Sequence, residues 1–188
     1  MSPLYATNIN QLSNILSDYK DGYISYRTGR DIKKGSYTTL SPEEVIKYKK
    51  GSCFDMNMIA DYVIKQNFPD LDYSLYYIES NDGNKMHSWL LYKDNASRYR
   101  GTFIVPRSSS YQLYYDSMAY RTFNEVLSIV ISKLSIPRGS GYVVFRYKQP
   151  STYHLNKQEF RSYIFRTGTL IRDIGGYYKK NHRFLAIK

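Results

Sequence analysis

Residues 47–66, KYKKGSCFDMNMIADYVIKQ, predict a helix that begins beside the only cysteine of the chain. Gly51 ends the preceding segment, and Ser52 is of a residue type that commonly caps a helix N-terminus. Cys53 is therefore expected in the first turn of this helix. The apolar residues that follow recur at helical spacing up to about Asn67, namely Met56, Ile59, Ala60, Val63 and Ile64.

Another helix is predicted immediately upstream, within LSPEEVIKYKKG at residues 40–51. Ser41 serves as its N-cap, Pro42 lies in its first turn, and two glutamates face the positive end of the helix dipole. Closer to the N-terminus, the apolar stripe of NINQLSNILSDY predicts a short docking helix at about residues 8–20.

Three consecutive antiparallel strands are predicted downstream, because the turns NDGN and NASR separate segments rich in aromatic and aliphatic residues. His87 lies near the start of the second strand. The strands are expected at residues 72–80, 85–94 and 99–106, followed by a helix at 121–135, a strand at 142–150 and a helix at 155–168.

The chain of 188 residues is strongly basic, with 27 Lys and Arg against 16 Asp and Glu and a formal net charge of +11. Much of the excess lies near the C-terminus, where residues 146–188 hold ten basic residues against Glu159 and Asp173. This charge favours acidic partners through long-range attraction. Residues 169–188 are predicted to be a basic extension that binds another protein or a nucleic acid.

Several classes of protein and site are disfavoured by the sequence. No apolar run approaches the roughly 18 residues of a membrane span, and MSPLYATNIN lacks a signal-peptide pattern, so we expect a soluble protein without a membrane partner. One cysteine permits no internal disulfide and agrees with a cytoplasmic location. His154 and His182 lack the paired spacing of metal ligands, and RTGRD and RGSG do not make a phosphate-binding loop.

Cys53 has two interpretations, a buried packing residue or a nucleophile. A thiol reacts as its thiolate, which a helix N-terminus and a neighbouring imidazole both stabilise. Cys53 has the first of these features, and His87 is the candidate for the second. The alternative is a lone buried cysteine and a histidine that is merely packed on a strand.

The order of these features resembles the transglutaminase-like superfamily of papain-type cysteine proteins. GSCFD at a helix start is followed by HSWLLYKDN on a strand, YDSMAYRTFNEVLSIV, a Tyr-x-x-Pro strand and a helix around NKQEFRSYI. The chain looks closest to small versions found in phages and prophages, and the resemblance covers roughly residues 23–165. It implies that Cys53 is the nucleophile, that His87 is the general base and acid, and that the Cys53 N–H helps to bind an oxyanion.

The family also places an acid on the strand after the histidine strand, where it orients the imidazole. The corresponding segment TFIVPRSSS, residues 102–110, contains no Asp, Glu or Asn. Its serines can form a hydrogen bond but carry no charge. Asp94 and Asn95 lie in a turn at the far end of the hairpin, and Asp116 follows later in the chain.

These observations predict an α+β fold of the papain-like, transglutaminase-like type, with residues 1–168 as the domain and 169–188 as the basic extension. The implied function is a peptide or amide hydrolase, or an acyltransferase, that forms a thioester at Cys53 without a metal or organic cofactor. The alternative is a catalytically impaired descendant that serves as a virion or assembly component in the host cytoplasm or the virion. Its partner would be a protein or a nucleic acid.

Overall fold

The computed structural model describes residues 38–48, 51–103 and 114–178. The predicted helix at about residues 8–20 and the last ten residues of the chain lie outside the described residues. In chain order the described elements are α1 (Pro42–Tyr48), α2 (Cys53–Asn67), β1 (Tyr73–Ser80), β2 (Met86–Lys93), β3 (Tyr99–Phe103), β4 (Tyr114–Tyr120), α3 (Phe123–Leu134), β5 (Tyr142–Tyr147), α4 (Lys157–Thr167) and β6 (Thr169–Ile174).

The strands form one antiparallel sheet in the order β4-β3-β2-β1-β5-β6. β1, β2 and β3 follow one another through short turns and pair as antiparallel neighbours. The sequence predicted this arrangement. β5 pairs with the other side of β1. The sheet and its helices confirm the α+β class.

Helices cover both faces of the sheet, so its central strands β1, β2 and β5 are largely buried on two sides. On the first face, α2 and α4 pack on alternate strand residues such as Leu75, Leu90 and Phe145. On the second face, α3 packs on the intervening residues, which include Trp89 and Leu91. We use "first face" for the side of α2 and α4 and "second face" for the side of α3.

Two strands were not predicted from the sequence. β4 (Tyr114–Tyr120) borders β3 at one edge, and β6 (Thr169–Ile174) borders β5 at the other. Residues 169–174 therefore belong to the sheet, and the predicted boundary at residue 168 does not separate an extension there. The physical reason is that an edge strand is held by backbone hydrogen bonds to its neighbour, which charge and apolar periodicity do not reveal.

The start of α2 is fixed by a reciprocal set of hydrogen bonds around Ser52, the residue that the sequence predicted as its N-cap. The Ser52 hydroxyl accepts from the backbone N–H groups of Phe54 (3.2 Å) and Asp55 (3.4 Å). The buried Asp55 carboxylate accepts from the N–H groups of Ser52 (2.5 Å) and Leu40 (2.8 Å). A side chain on Gly51 would place its Cβ 2.8 Å from Asp55 Cβ, so this junction requires a glycine.

Asp55→Asn is expected to lower the free energy of unfolding by about 1–3 kcal/mol, because the amide keeps one acceptor oxygen and sets an NH₂ group against a backbone donor. Urea unfolding at neutral pH measures the change. The exposed Asp70→Asn is the matched control and should change stability by less than about 0.5 kcal/mol. Equal stability of Asp55→Asn and the wild type would contradict the role assigned to this carboxylate.

Candidate functional site

Cys53 is the first residue of α2, as predicted, and its side chain is 5% exposed. It belongs to the apolar cluster of the first face. The thiol therefore has the feature named under each interpretation of the sequence: it lies at a helix N-terminus, and it is buried.

Two buried phenols lie within electrostatic range of this thiol. Burial raises the pKa of Tyr77 and of Tyr147 above the ordinary tyrosine value, and charge on Cys53 adds to both shifts. The Tyr77 hydroxyl donates to Glu79 (2.6 Å), and the same carboxylate accepts from Arg161 Nε (2.9 Å). These phenols stay protonated at neutral pH, so neither is suited to deprotonating a thiol.

His87 lies on the second face, away from Cys53. Side chains alternate along a strand, and Ser88 and Leu90 point to the first face, so His87 and Trp89 point to the second. The imidazole stacks on Trp89, with 6.2 Å between ring centroids and an interplanar angle of 11°. The structure thus does not bring together the thiol and the imidazole that the resemblance paired.

The electrostatics of His87 also differ from those of a general base. Its side chain is fully buried, and burial lowers its pKa from the ordinary 6.5 to about 3. Neither ring nitrogen has a hydrogen-bond partner among the described residues. At neutral pH this imidazole is neutral and accepts a proton only at a large cost in free energy.

Ser88 occupies the β2 position that faces α2. Asn57, one turn after Cys53, donates from Nδ2 to Ser88 Oγ (2.8 Å). Ser88 Oγ also lies 2.6 Å from the Tyr147 hydroxyl. The side of the strand expected to carry the imidazole therefore carries a buried chain of uncharged hydrogen bonds. The sequence His87-Ser88-Trp89 does not by itself show which of these side chains faces α2. The register of β2 decides this.

The third member of the expected triad is not supplied by Asp94. His87 lies near the start of β2, whereas Asp94 follows the last residue of that strand, at its other end. Its carboxylate binds Arg100 Nε (2.9 Å), and chiefly this contact lowers its pKa to about 2. Asp116 lies in β4 opposite Gly101, and residues 104–113, which include most of the predicted segment, lie outside the described residues.

His154 Nε2 lies 2.8 Å from Glu44 Oε2, and His182 lies outside the described residues. In the part of the chain that the structure describes, no three His, Cys, Asp or Glu side chains gather in a way suited to a metal ion. None of the described helices has the length and apolar character needed to cross a bilayer.

A basic cleft of about 700 Å³, which sequence reasoning missed, opens at the end of the sheet where β1 begins and β5 ends. α2 and α4 contribute to its walls. Lys65, Arg146 and Lys148 line it. Asp61 also lines it, but its carboxylate already accepts from Lys65 Nζ and the Tyr73 hydroxyl, both at 2.7 Å. We call this site the "sheet-end cleft". Its residues are spread over the chain from Asp61 to Thr169, so no local sequence motif indicates it.

No protein-family model matches the chain, and no curated protein matches it either. The likeness to transglutaminase-like proteins accordingly rests on the sequence pattern described above.

The neutral buried His87 should make stability depend on pH. Below pH 6.5 the unfolded chain binds a proton at this residue, whereas the folded chain does so only near pH 3. Above pH 6.5, His87 is neutral in both states and does not make stability depend on pH. Between pH 6.5 and about pH 3, the free energy of unfolding falls by about 1.4 kcal/mol for each pH unit that the pH drops.

Urea unfolding of the wild type and of His87→Leu at several pH values within this window measures the effect. The slope of stability against pH should be shallower in His87→Leu by about 1.4 kcal/mol per pH unit. Identical slopes would show that His87 titrates alike in the folded and unfolded states, contrary to its burial.

Proposed function

We propose that this chain is a non-catalytic binding protein for an anionic macromolecule, built on an α+β scaffold that resembles the transglutaminase-like proteins. One observation carries the first half of the proposal: Cys53 and His87 face opposite sides of the sheet. The proposal corresponds to an impaired descendant of such enzymes that works as an assembly component.

Thioester chemistry needs a thiolate and a group that transfers protons to and from the reacting atoms. In the described residues, the β2 position facing α2 is a serine that is already hydrogen-bonded to Asn57 and Tyr147. The Cys53 side chain is 5% exposed, which leaves little of it open to a peptide substrate. Both features favour a packing role for the thiol.

The charge of the chain supports the second half of the proposal. Its net charge of +11 attracts polyanions over distances of about a Debye length. Arg146 and Lys148 are exposed, and among the described residues neither makes an ion pair. Cations without acidic partners remain available to an external anion.

The reactivity of Cys53 tests the non-catalytic half. Iodoacetamide should modify Cys53 of the native protein more slowly than it modifies a free thiol, because the side chain is buried. His87→Leu should leave this rate unchanged, since the imidazole lies on the other face. Intact-mass spectrometry at neutral pH gives both rates, and the same reaction in denaturant is the control for the intrinsic rate.

Labelling faster than that of a free thiol, with the advantage lost in His87→Leu, would overturn this half of the proposal. It would instead support a cysteine hydrolase or acyltransferase whose nucleophile is Cys53.

Retention on immobilised heparin tests the anion-binding half. The full chain should be retained at low salt and released as the salt concentration rises, because screening weakens contacts between charges. A chain ending at residue 178 lacks Lys179, Lys180, Arg183 and Lys188, so its net charge falls from +11 to +7. It should elute at lower salt than the full chain but still be retained. Flow-through of the full chain at low salt would refute anion binding.

A further inference from the structure

We infer that the sheet-end cleft binds single-stranded nucleic acid; this inference rests on the proposed function and names both its partner and its site. The sequence predicted binding by the C-terminal extension, whereas the cleft is formed by the folded domain. Its volume of about 700 Å³ lies within the range of about 300–1,000 Å³ that ligand sites occupy.

Cations of the cleft are placed for phosphate binding. Arg146 ends β5 together with Tyr147, and Lys148 follows directly, so two cations from one strand end line the opening. Lys65 approaches from α2, and its side chain is 60% exposed despite the ion pair with Asp61. A phosphate backbone passing the opening meets three basic side chains and the Asp61 carboxylate, which pairs with Lys65, so the lining carries a net charge of +2.

Tyrosine rings accompany these cations. Tyr73 and Tyr163 stand half-buried on the walls, and each hydroxyl is held by a hydrogen bond: Tyr73 to Asp61 (2.7 Å) and Tyr163 to the Lys148 carbonyl (2.9 Å). Rings fixed in this way lose little conformational entropy when a planar group stacks on them. Aromatic side chains interleaved with cations are the common surface of proteins that bind single strands.

A second pocket of about 130 Å³ lies at the same end of the sheet but on its second face, where Tyr76, Leu91 and Tyr99 line it together with Asp72. The two share Tyr73, Ser74 and Arg146. The smaller cleft adds Tyr76, half-buried, and Tyr99, whose ring lies 5.6 Å from Lys93 Nζ. Only an extended chain that passes around the end of the sheet can contact the rings and cations of both pockets, which a single small anion cannot span.

Gln149 adds a polar contact to the larger cleft. It lines the wall, and both atoms of its amide are buried without a hydrogen-bond partner among the described residues. An unsatisfied buried amide is unfavourable, and a base edge that binds it would supply the missing partner. A single strand offers base edges and faces, whereas a duplex keeps its base faces stacked and an acidic peptide has neither.

The experiment measures fluorescence anisotropy of a labelled oligothymidylate with the full chain at salt concentrations between about 50 and 200 mM. The cleft variant is Arg146→Ala with Lys148→Ala. The matched control is Lys85→Ala with Arg138→Ala, which removes the same charge from exposed positions at the other end of the sheet. All four residues lie outside the buried core, and thermal unfolding confirms that each variant is folded.

The cleft variant should bind at least about tenfold more weakly than the wild type, and the slope of log K against log salt should become less steep by about 1.4, the value for two phosphate contacts on a single strand. The control should bind within about twofold of the wild type. Tyr163→Leu should weaken binding by about fivefold or more through lost stacking, whereas Tyr142→Leu, at the far end of β5, should not.

Other outcomes separate this inference from the proposed function. Equal weakening in the cleft and control variants, or equal competition by duplex and single strand, would overturn the inference and leave anion binding intact. Binding of polyglutamate but not of the oligothymidylate would also overturn it, in favour of an acidic protein partner. If neither polyanion bound, both the inference and the proposed function would fail.

Discussion

The strict alternation of side chains along β2 is the constraint on which the rest of this structure depends. Leu90 and Tyr92 pack under α2, while Trp89 and Leu91 pack under α3, so both faces of the strand are buried. A slip by one residue would exchange these two sets and disrupt two cores at once. The register is therefore fixed by packing on both sides, and it carries His87 to the face opposite Cys53.

The polar groups under α2 form a connected network. Asn57, Ser88 and Tyr147 link α2, β2 and β5 through hydrogen bonds of 2.8 and 2.6 Å. Buried polar groups that satisfy one another help to specify a unique packing, whereas an imidazolium introduced there would require a counter-charge. On this face the helix N-terminus positions a thiol within a core, where two phenols, Tyr77 and Tyr147, lie within its electrostatic range.

Charge is concentrated where the sheet ends, and this follows from the way antiparallel strands meet. The start of β1, the ends of β2 and β5 and the side of α2 lie at one end of the sheet, which brings Lys65, Lys93, Arg146 and Lys148 to the same region. Tyrosine supplies rings beside them because it packs its ring on a strand while its hydroxyl remains hydrogen-bonded. The chain has 22 tyrosines and a net charge of +11. These tyrosines and basic residues occur on the folded domain as well as in its C-terminal segment.

The sequence by itself determined helices α1 to α4, the three-stranded meander and the α+β class, because apolar periodicity, N-caps such as Ser41 and Ser52, and turn residues are local signals. It also placed Cys53 in the first turn of α2. Tertiary structure alone decided that β4 and β6 complete the sheet, since edge strands depend on a neighbour's backbone groups. It also decided which side of β2 faces α2, because a period of two allows either side, and only packing against α2 and α3 selects Ser88 over His87.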